Sequence, residues 1–351
     1  MRDVLADLDA WAGRGEAAAL ATVVAVKRSA PRPPGAKMAV SSAGAVSGAV
    51  SGGCVEGSVV LAAEEVLAGG PPRLLHFGIA DEDAWDVGLP CGGEIDVWVA
   101  RHEDDALGAI ARRDERGAQV TRLDDGAHLV LDAAGTRAGT LGDAALDDAA
   151  AEAARELMWA ERSERLELEG VSVFVDVVAP APRLVVFGAV DFAAQLCTLA
   201  RITGWRPFVV DPRTRFATAE RFPDAEQVVA AWPAEAFARI GGIDRATYVA
   251  VLTHDPKLDD AALLLALRSD AAYVGAMGSR RAQERRRERL LALGLTDADL
   301  ERLAAPIGLD LGALTAEETA LSILSEVVAV RHGHQGGRLI HAAGRIHEVG
   351  A

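Results

Sequence analysis

Two cysteines sit in glycine-rich loops, a setting in which a thiol becomes reactive. In Ser51-Gly52-Gly53-Cys54-Val55-Glu56-Gly57 paired glycines precede Cys54, and Val59, Val60, Ala63, Val66 and Leu67 follow at helical spacing. Cys54 is therefore expected at a helix start, where unsatisfied amides favour an anion and lower a thiol's pKa. The glycines also leave the backbone open to a closely approaching ligand. Cys91, between Pro90 and Gly92-Gly93, lies in a second such loop. A lone cysteine can equally be a small buried hydrophobe, and that reading is applied to Cys197 in the apolar stretch Phe192 to Leu199.

A second constellation lies downstream. Leu184-Val185-Val186-Phe187-Gly188 precedes a helix near Phe192 to Thr203, and Asp211 closes the next apolar run. In a dinucleotide-binding fold the glycine permits a tight turn, the helix start receives a pyrophosphate, and the acid about 20 positions later holds a ribose hydroxyl. Here the loop reads Gly188-Ala189-Val190-Asp191-Phe192-Ala193. It keeps the first glycine of three, Val190 crowds a phosphate, and Asp191 opposes its charge. A Rossmann-like scaffold with an altered nucleotide site is the expectation. Two further groups belong at the carboxyl ends of strands, where such sheets bind ligands. Thr253-His254-Asp255 offers His254 as a proton donor or as a structural hydrogen-bonding group. Ser279-Arg280-Arg281 opens a helix and suits an anion; alternatively Arg285, Arg286, Arg287 and Arg289 simply continue a solvated face with Glu284 and Glu288.

The elements that must carry these residues fall into two textures. A helix over residues 4–12 presents Val4, Leu5, Leu8 and Trp11 on one face. Leu20 to Val26 reads as a buried strand, Ser29 to Met38 as a proline-broken loop, and 38–41 and 45–51 as two strands. Glu94 to Ala100 alternates as another. Residues 101–150 are polar and alanine-rich, expected as a strand pair with helices on the outside of the first domain. Leu166 to Glu169 and Val171 to Val178 pair around Gly170. After Ala179-Pro180-Ala181-Pro182, strands at 184–188, 207–211, 228–229, 247–253 and 271–275 alternate with helices, which implies a parallel sheet covered on both faces. A capping box, Thr315 to Glu318, opens a last helix. The predicted organisation is an N-terminal α+β domain (1–180), a Rossmann-like doubly wound domain (183–330) and a tail (331–351).

Composition sets outer limits. At roughly 150 residues per domain, 351 residues suit two. With 36 basic and 52 acidic side chains the net charge is −16, which argues against broad nucleic-acid binding. No apolar run approaches the ~20 residues of a membrane span, and residues 1–7 lack a signal-peptide core. Three scattered cysteines do not make a disulfide scaffold or a paired zinc site. No Gly-x-Ser-x-Gly turn supports a serine triad. A soluble, cytoplasmic protein is expected.

Seven ordered segments together resemble the XdhC/CoxI family: Ser29-Ala30-Pro31-Arg32-Pro33-Pro34-Gly35-Ala36-Lys37-Met38, the Ser51 to Gly57 loop, Pro90 to Glu94, Thr253 to Pro256, Tyr273 to Arg281, Ala305 to Asp310 and Thr315 to Ala320. The resemblance implies a non-catalytic accessory factor of molybdenum hydroxylases such as xanthine or carbon monoxide dehydrogenase. Such a factor binds molybdenum cofactor (molybdopterin), protects it while a cysteine desulfurase helps install the terminal sulfur, and passes it to the apoenzyme. Homodimerisation goes with that resemblance. On this reading Gly52, Gly53, Cys54, Glu56, Cys91 and Gly92 contact the cofactor. Cys54 and Cys91 are candidate soft ligands to molybdenum, and Gly188, Asp211, His254, Ser279, Arg280 and Arg281 are candidate phosphate or nucleotide contacts. The alternative is an NAD(P)-dependent oxidoreductase with Asp211 on the ribose and His254 as proton donor. Regulation by protein contact alone has no specific motif.

Overall fold

The computed structural model describes residues 1–28, 31–78, 93–103 and 106–341. The chain forms two compact units that divide after Pro180.

In the first unit, α1 (Arg2–Gly13) buries Val4, Leu8 and Trp11. It leads into β1 (Ala18–Lys27), β2 (Lys37–Ser41), β3 (Val46–Gly48), α2 (Glu56–Leu67), β4 (Arg73–Phe77) and β5 (Glu94–Arg101). These strands form an antiparallel sheet in the order β3-β2-β1-β5-β4. Strand residues alternate between faces, and here both faces are covered. Ala19, Ala21, Val23, Met38, Val40, Ile95, Val97 and Val99 pack against Val59, Ala62, Ala63 and Val66 of α2. On the other face Val24 and Trp98 meet Leu123 and Phe174 of a second sheet. A bulge between Val23 and Ala25 shifts the alternation, which lets Val24 and Val26 serve opposite sides.

That second sheet corrects the expectation for residues 101–150. After α3 (Ala106–Arg112) come β6 (Gly117–Arg122), β7 (His128–Asp132), β8 (Arg137–Gly139), α4 (Ala144–Trp159), β9 (Glu164–Leu168) and β10 (Val171–Val178). They form an antiparallel sheet in the order β8-β7-β6-β10-β9, with β6 at its centre. The alanine-rich stretch is core-forming: Ala150, Ala151 and Ala154 bring α4 down onto Ala118, Val120, Leu129, Leu131, Val173 and Val175. β9 and β10 are joined by Glu169 and Gly170, both at positive φ (49° and 76°), the requirement of a type I′ hairpin.

The second unit contains β11 (Arg183–Phe187), α5 (Asp191–Ile202), β12 (Arg206–Val210), β13 (Gln227–Val229), α6 (Pro233–Arg239), β14 (Thr247–Val251), α7 (Pro256–Leu267), β15 (Tyr273–Ala276), α8 (Arg280–Ala292), α9 (Asp297–Glu301), β16 (Leu303–Ala304) and α10 (Ala316–Arg331). All six strands run parallel in the order β13-β12-β11-β14-β15-β16. This is the doubly wound order 3-2-1-4-5-6, with its topological switch between β11 and β14. Each strand is apolar on both sides because helices cover both faces. Phe237, Leu258, Leu263 and Leu290 pack on one, and Leu196, Cys197, Ile323, Leu324 and Val327 on the other. The α/β class and the Rossmann-like second domain are as the alternation of elements predicts. The sequence reading did not locate α9 or β16.

Candidate functional site

Cys54 occupies the turn into α2, whose geometry is set by a carboxylate from the helix itself. Gly52 and Gly53 adopt φ of 109° and 117°, a region open to glycine and rarely to other residues. The turn they make aims successive amides inward. Glu56 Oε1 accepts from the amides of Ser51 and Gly52, both at 2.8 Å, and Oε2 from that of Gly53 at 2.8 Å and Val55 at 3.2 Å. The Ser51 hydroxyl donates to Oε2 at 2.6 Å and accepts from the amides of Cys54 (3.1 Å) and Val55 (3.2 Å). Burial on its own would raise the Glu56 pKa. The Ser51 hydroxyl and the converging amides outweigh it and hold the carboxyl at about 2.

The sequence reading placed these amides at the disposal of the Cys54 thiol or a closely approaching ligand. The structure corrects that: Glu56 already fills the anion-binding nest, so its own contribution is to shape the loop. A glutamate one turn after paired glycines is the signal that could have revealed it, since an acid at a helix start is where the macrodipole favours one. Cys54 is a half-buried free thiol beside the α2 core. Cys91 and Gly92 lie outside the described residues. Among the described residues, no group of three or more His, Cys, Asp or Glu side chains gathers to hold a metal ion.

In the second unit the loop after β11 is tight. A Cβ at Gly188 (φ 115°) would lie 2.4 Å from Thr253 Cγ2, so glycine is required where β11 and β14 diverge. Asp211, fully buried at the end of β12, is fully engaged. Its Oδ1 accepts from the amide and Nε of Arg213, both at 2.9 Å; Oδ2 accepts from Ala189 N (2.9 Å) and Arg213 Nη2 (2.7 Å). Burial tends to raise its pKa, but Arg213 and the two amides lower it overall. A carboxylate that already accepts four hydrogen bonds has no free site for a ribose. Ribose recognition by Asp211 would first require the release of Arg213, whose guanidinium stacks 4.7 Å over Phe216.

A cleft of about 790 Å³ opens at the switch point, lined by Val190, Phe192, Arg213, Trp232, His254 and Asp255 among others. His254 is exposed there. Asp211 and the Ser279 group are not part of its lining. Ser279 caps α8 by accepting from Ala282 N at 3.3 Å, and Arg280 and Arg281 are exposed on its first turn. The structure thus brings His254 to the cleft but not Ser279, Arg280 or Arg281. The solvated-face reading of α8 fails at Arg286, whose side chain is 5% exposed. It donates to Asp259 Oδ2 (3.0 Å) and Met277 O (3.1 Å), while Asp259 accepts from the Thr253 hydroxyl. Burial raises the Asp259 pKa despite those partners.

Comparison with known proteins assigns these parts. Residues 11–78, which hold the Cys54 loop, match the model described as the XdhC and CoxI family, and residues 184–327 match the XdhC Rossmann domain. The chain is 30% identical over 321 residues to the molybdenum cofactor insertion chaperone PaoD of Escherichia coli, covering 90% of this chain and 84% of that one. The chain belongs to the XdhC and CoxI family. Another relative, a probable xanthine dehydrogenase subunit of Bacillus subtilis, is 29% identical over 337 residues, 92% of this chain and 96% of its own. A crystal structure from Bacillus halodurans, named as a xanthine dehydrogenase, shares the fold. Its TM-score is 0.66 at 24% identity, over 97% of this chain and 98% of that one. The family models leave residues 79–183 unmatched, a span that includes all of the second antiparallel sheet.

Proposed function

We propose that this family member is a maturation factor for molybdenum hydroxylases. It takes up molybdenum cofactor as cargo, holds it while a cysteine desulfurase supplies the terminal sulfur, and hands it to an apoenzyme of the xanthine or carbon monoxide dehydrogenase type. The observation that carries this reading is the likeness to the cofactor insertion chaperone PaoD along nearly the whole chain. In this role the protein works in the cytoplasm as a homodimer, without turnover of its own. Cys54 supplies a soft sulfur donor toward molybdenum, with Cys91 as its partner thiol. The Glu56-filled turn supports the assignment by fixing where Cys54 stands, since the loop keeps its shape through internal hydrogen bonds.

An NAD(P)-dependent oxidoreductase finds less support. Asp211 is engaged by Arg213 and Ala189, and Val190 occupies the second glycine position of the phosphate loop. The test is cargo. Protein purified from a molybdenum-competent host should carry molybdenum and releasable pterin in equal amounts, and Cys54→Ser should retain at least tenfold less of both. Added desulfurase and cysteine should raise cyanide-labile sulfur on the bound cofactor. A folded protein that carries neither molybdenum nor pterin overturns the reading.

A further inference from the structure

The cleft at the switch point of the second unit lacks the usual grip on a dinucleotide and has another in its place. In a dinucleotide-binding fold the pyrophosphate is met by free amides at the first helix start. Here those amides are spent within the chain: Gly188 N donates to Val210 O (2.9 Å), Ala189 N to Asp211 Oδ2 (2.9 Å) and Ala193 N to Val190 O (3.0 Å). Val190 lines the cleft at the N-cap of α5. The exposed Asp191 carboxylate follows it, 3.6 Å from Arg221. A 5′-pyrophosphate is therefore disfavoured at this helix start.

Cationic groups collect instead at the end of β12. Arg213 lines the cleft, and its side chain is half exposed. It spends two N–H groups on Asp211, through Nε and Nη2, and a guanidinium has five. The others lie along its Nη1–Nη2 edge and have no hydrogen bond among the described residues. Asp211 thus fixes the guanidinium in place, and a planar fork held in one orientation is suited to a phosphate. Phe216 supports Arg213 from its face and also carries Arg221, whose Cζ lies 5.6 Å from the ring centroid. Arg215, exposed between the two in sequence, has no acidic partner among the described residues. At this position an acid reads a ribose 2′-hydroxyl, and a nearby arginine accommodates a 2′-phosphate. With the acid covered by the arginine, the chemistry on offer is that of the phosphate.

The rest of the wall suits a base. Trp232, at the start of α6, is 51% exposed and makes no capping hydrogen bond. With Phe192 and the exposed His254 it gives the cleft accessible ring faces on which a flat heterocycle can stack. Asp255, the acid in the lining, is held as the cap of α7, where it accepts from Lys257 N at 3.0 Å. A volume of about 790 Å³ is within the range of small-molecule sites. We propose that this cleft binds a nucleotide whose ribose carries a 2′-phosphate, as the adenosine half of NADP does, with Arg213 on the phosphate and Trp232 against the base. Recognition of this kind needs no turnover, and the inference does not rest on the maturation-factor reading.

The full chain is titrated by calorimetry with 2′-AMP, 3′-AMP, 5′-AMP, NADP and NAD. The first should bind saturably, 3′-AMP and 5′-AMP at least tenfold more weakly, and NADP at least tenfold more tightly than NAD. Asp211→Asn/Arg213→Met, which removes both charges together, should weaken 2′-AMP at least tenfold and bring NADP and NAD within threefold of each other. If the double variant does not fold, Trp232→Ala changes an exposed side chain and should weaken 2′-AMP at least fivefold. No saturable binding of 2′-AMP, or unchanged affinity in a folded variant, overturns the site. Tighter binding of 3′-AMP moves the phosphate to the neighbouring hydroxyl and overturns the 2′ assignment, and NAD binding as tight as NADP overturns the role of Arg213. A chain that carries molybdenum and pterin in the cargo assay yet binds no 2′-AMP overturns the cleft alone. One that binds 2′-AMP and carries neither overturns the maturation reading and supports the cleft.

Discussion

Replacement of Glu56 by glutamine probes the anion nest around Cys54 with a single-atom change. Glu56→Gln keeps the shape of the side chain and one carbonyl oxygen, but sets an NH2 group against amides that donate to Oε1 and Oε2. The native carboxyl is held at about 2 against the ordinary glutamate value of 4.5, which at full weight is worth about 3 kcal/mol. The group is only partly buried, and solvent screening reduces that to about 1.5–2 kcal/mol, in line with hydrogen bonds to a charged acceptor. Because the folded pKa is depressed, this stabilisation is fully present above about pH 4.5 and is lost as pH falls toward 2. The variant should therefore show a stability deficit of about 1.5–2 kcal/mol by urea denaturation at about pH 7 that narrows steadily as the pH is lowered from about 4.5 to about 2. Amide exchange at residues 51–55 should speed up by about tenfold. A deficit under about 0.5 kcal/mol, or one that ignores pH, would refute the assignment of Glu56 as the anion that shapes the loop.

Three further outcomes follow from the second unit. Gly188→Ala places a methyl 2.4 Å from Thr253 Cγ2 at a positive φ, and should cost about 2–4 kcal/mol in thermal or chaotropic unfolding; an unchanged melting temperature would show that the loop relaxes freely. Arg286→Met strands the buried Asp259 carboxylate and should cost about 3–5 kcal/mol at neutral pH. Asp259 already has a raised pKa, so the variant should regain stability relative to wild type as pH falls through the carboxylate range and the group takes up a proton. A deficit that grows with acid would contradict the buried-pair account. The Cys197 thiol is pushed up to about 12, chiefly by burial and secondarily by Asp224, so alkylation mapped by mass spectrometry at about pH 8 should modify Cys54 well before Cys197. Equal labelling of the two in folded protein would argue against it.

The Rossmann-like half of the fold was legible because each strand is a short apolar run closed by a chain-reversing residue, as in Leu184 to Gly188 and Pro207 to Asp211. β16 is two residues long and α9 five, too short for any period to register. The second antiparallel sheet was obscured for a different reason. The face of β6 that bears Gln119 and Thr121 meets a polar cavity, so its alternation mimics a solvated surface. Lys37 at the end of a proline loop and Arg286 within an arginine-rich helix carry no local mark of burial; only partners 139 and 27 positions away, Asp176 and Asp259, disclose it. For the candidate site, spacing placed Cys54 just before a helix and behind glycines that do adopt positive φ, but it credited the amides to an incoming ligand when Glu56 already held them.

That tethered acid has a bearing on any process of loading and release. A turn shaped by a guest anion slackens when the guest departs, and it must be rebuilt before the next arrival. Here the counter-charge is part of the chain, so it cannot diffuse away. The cysteine's mount owes its shape to the chain itself, and no added ion is needed to form it.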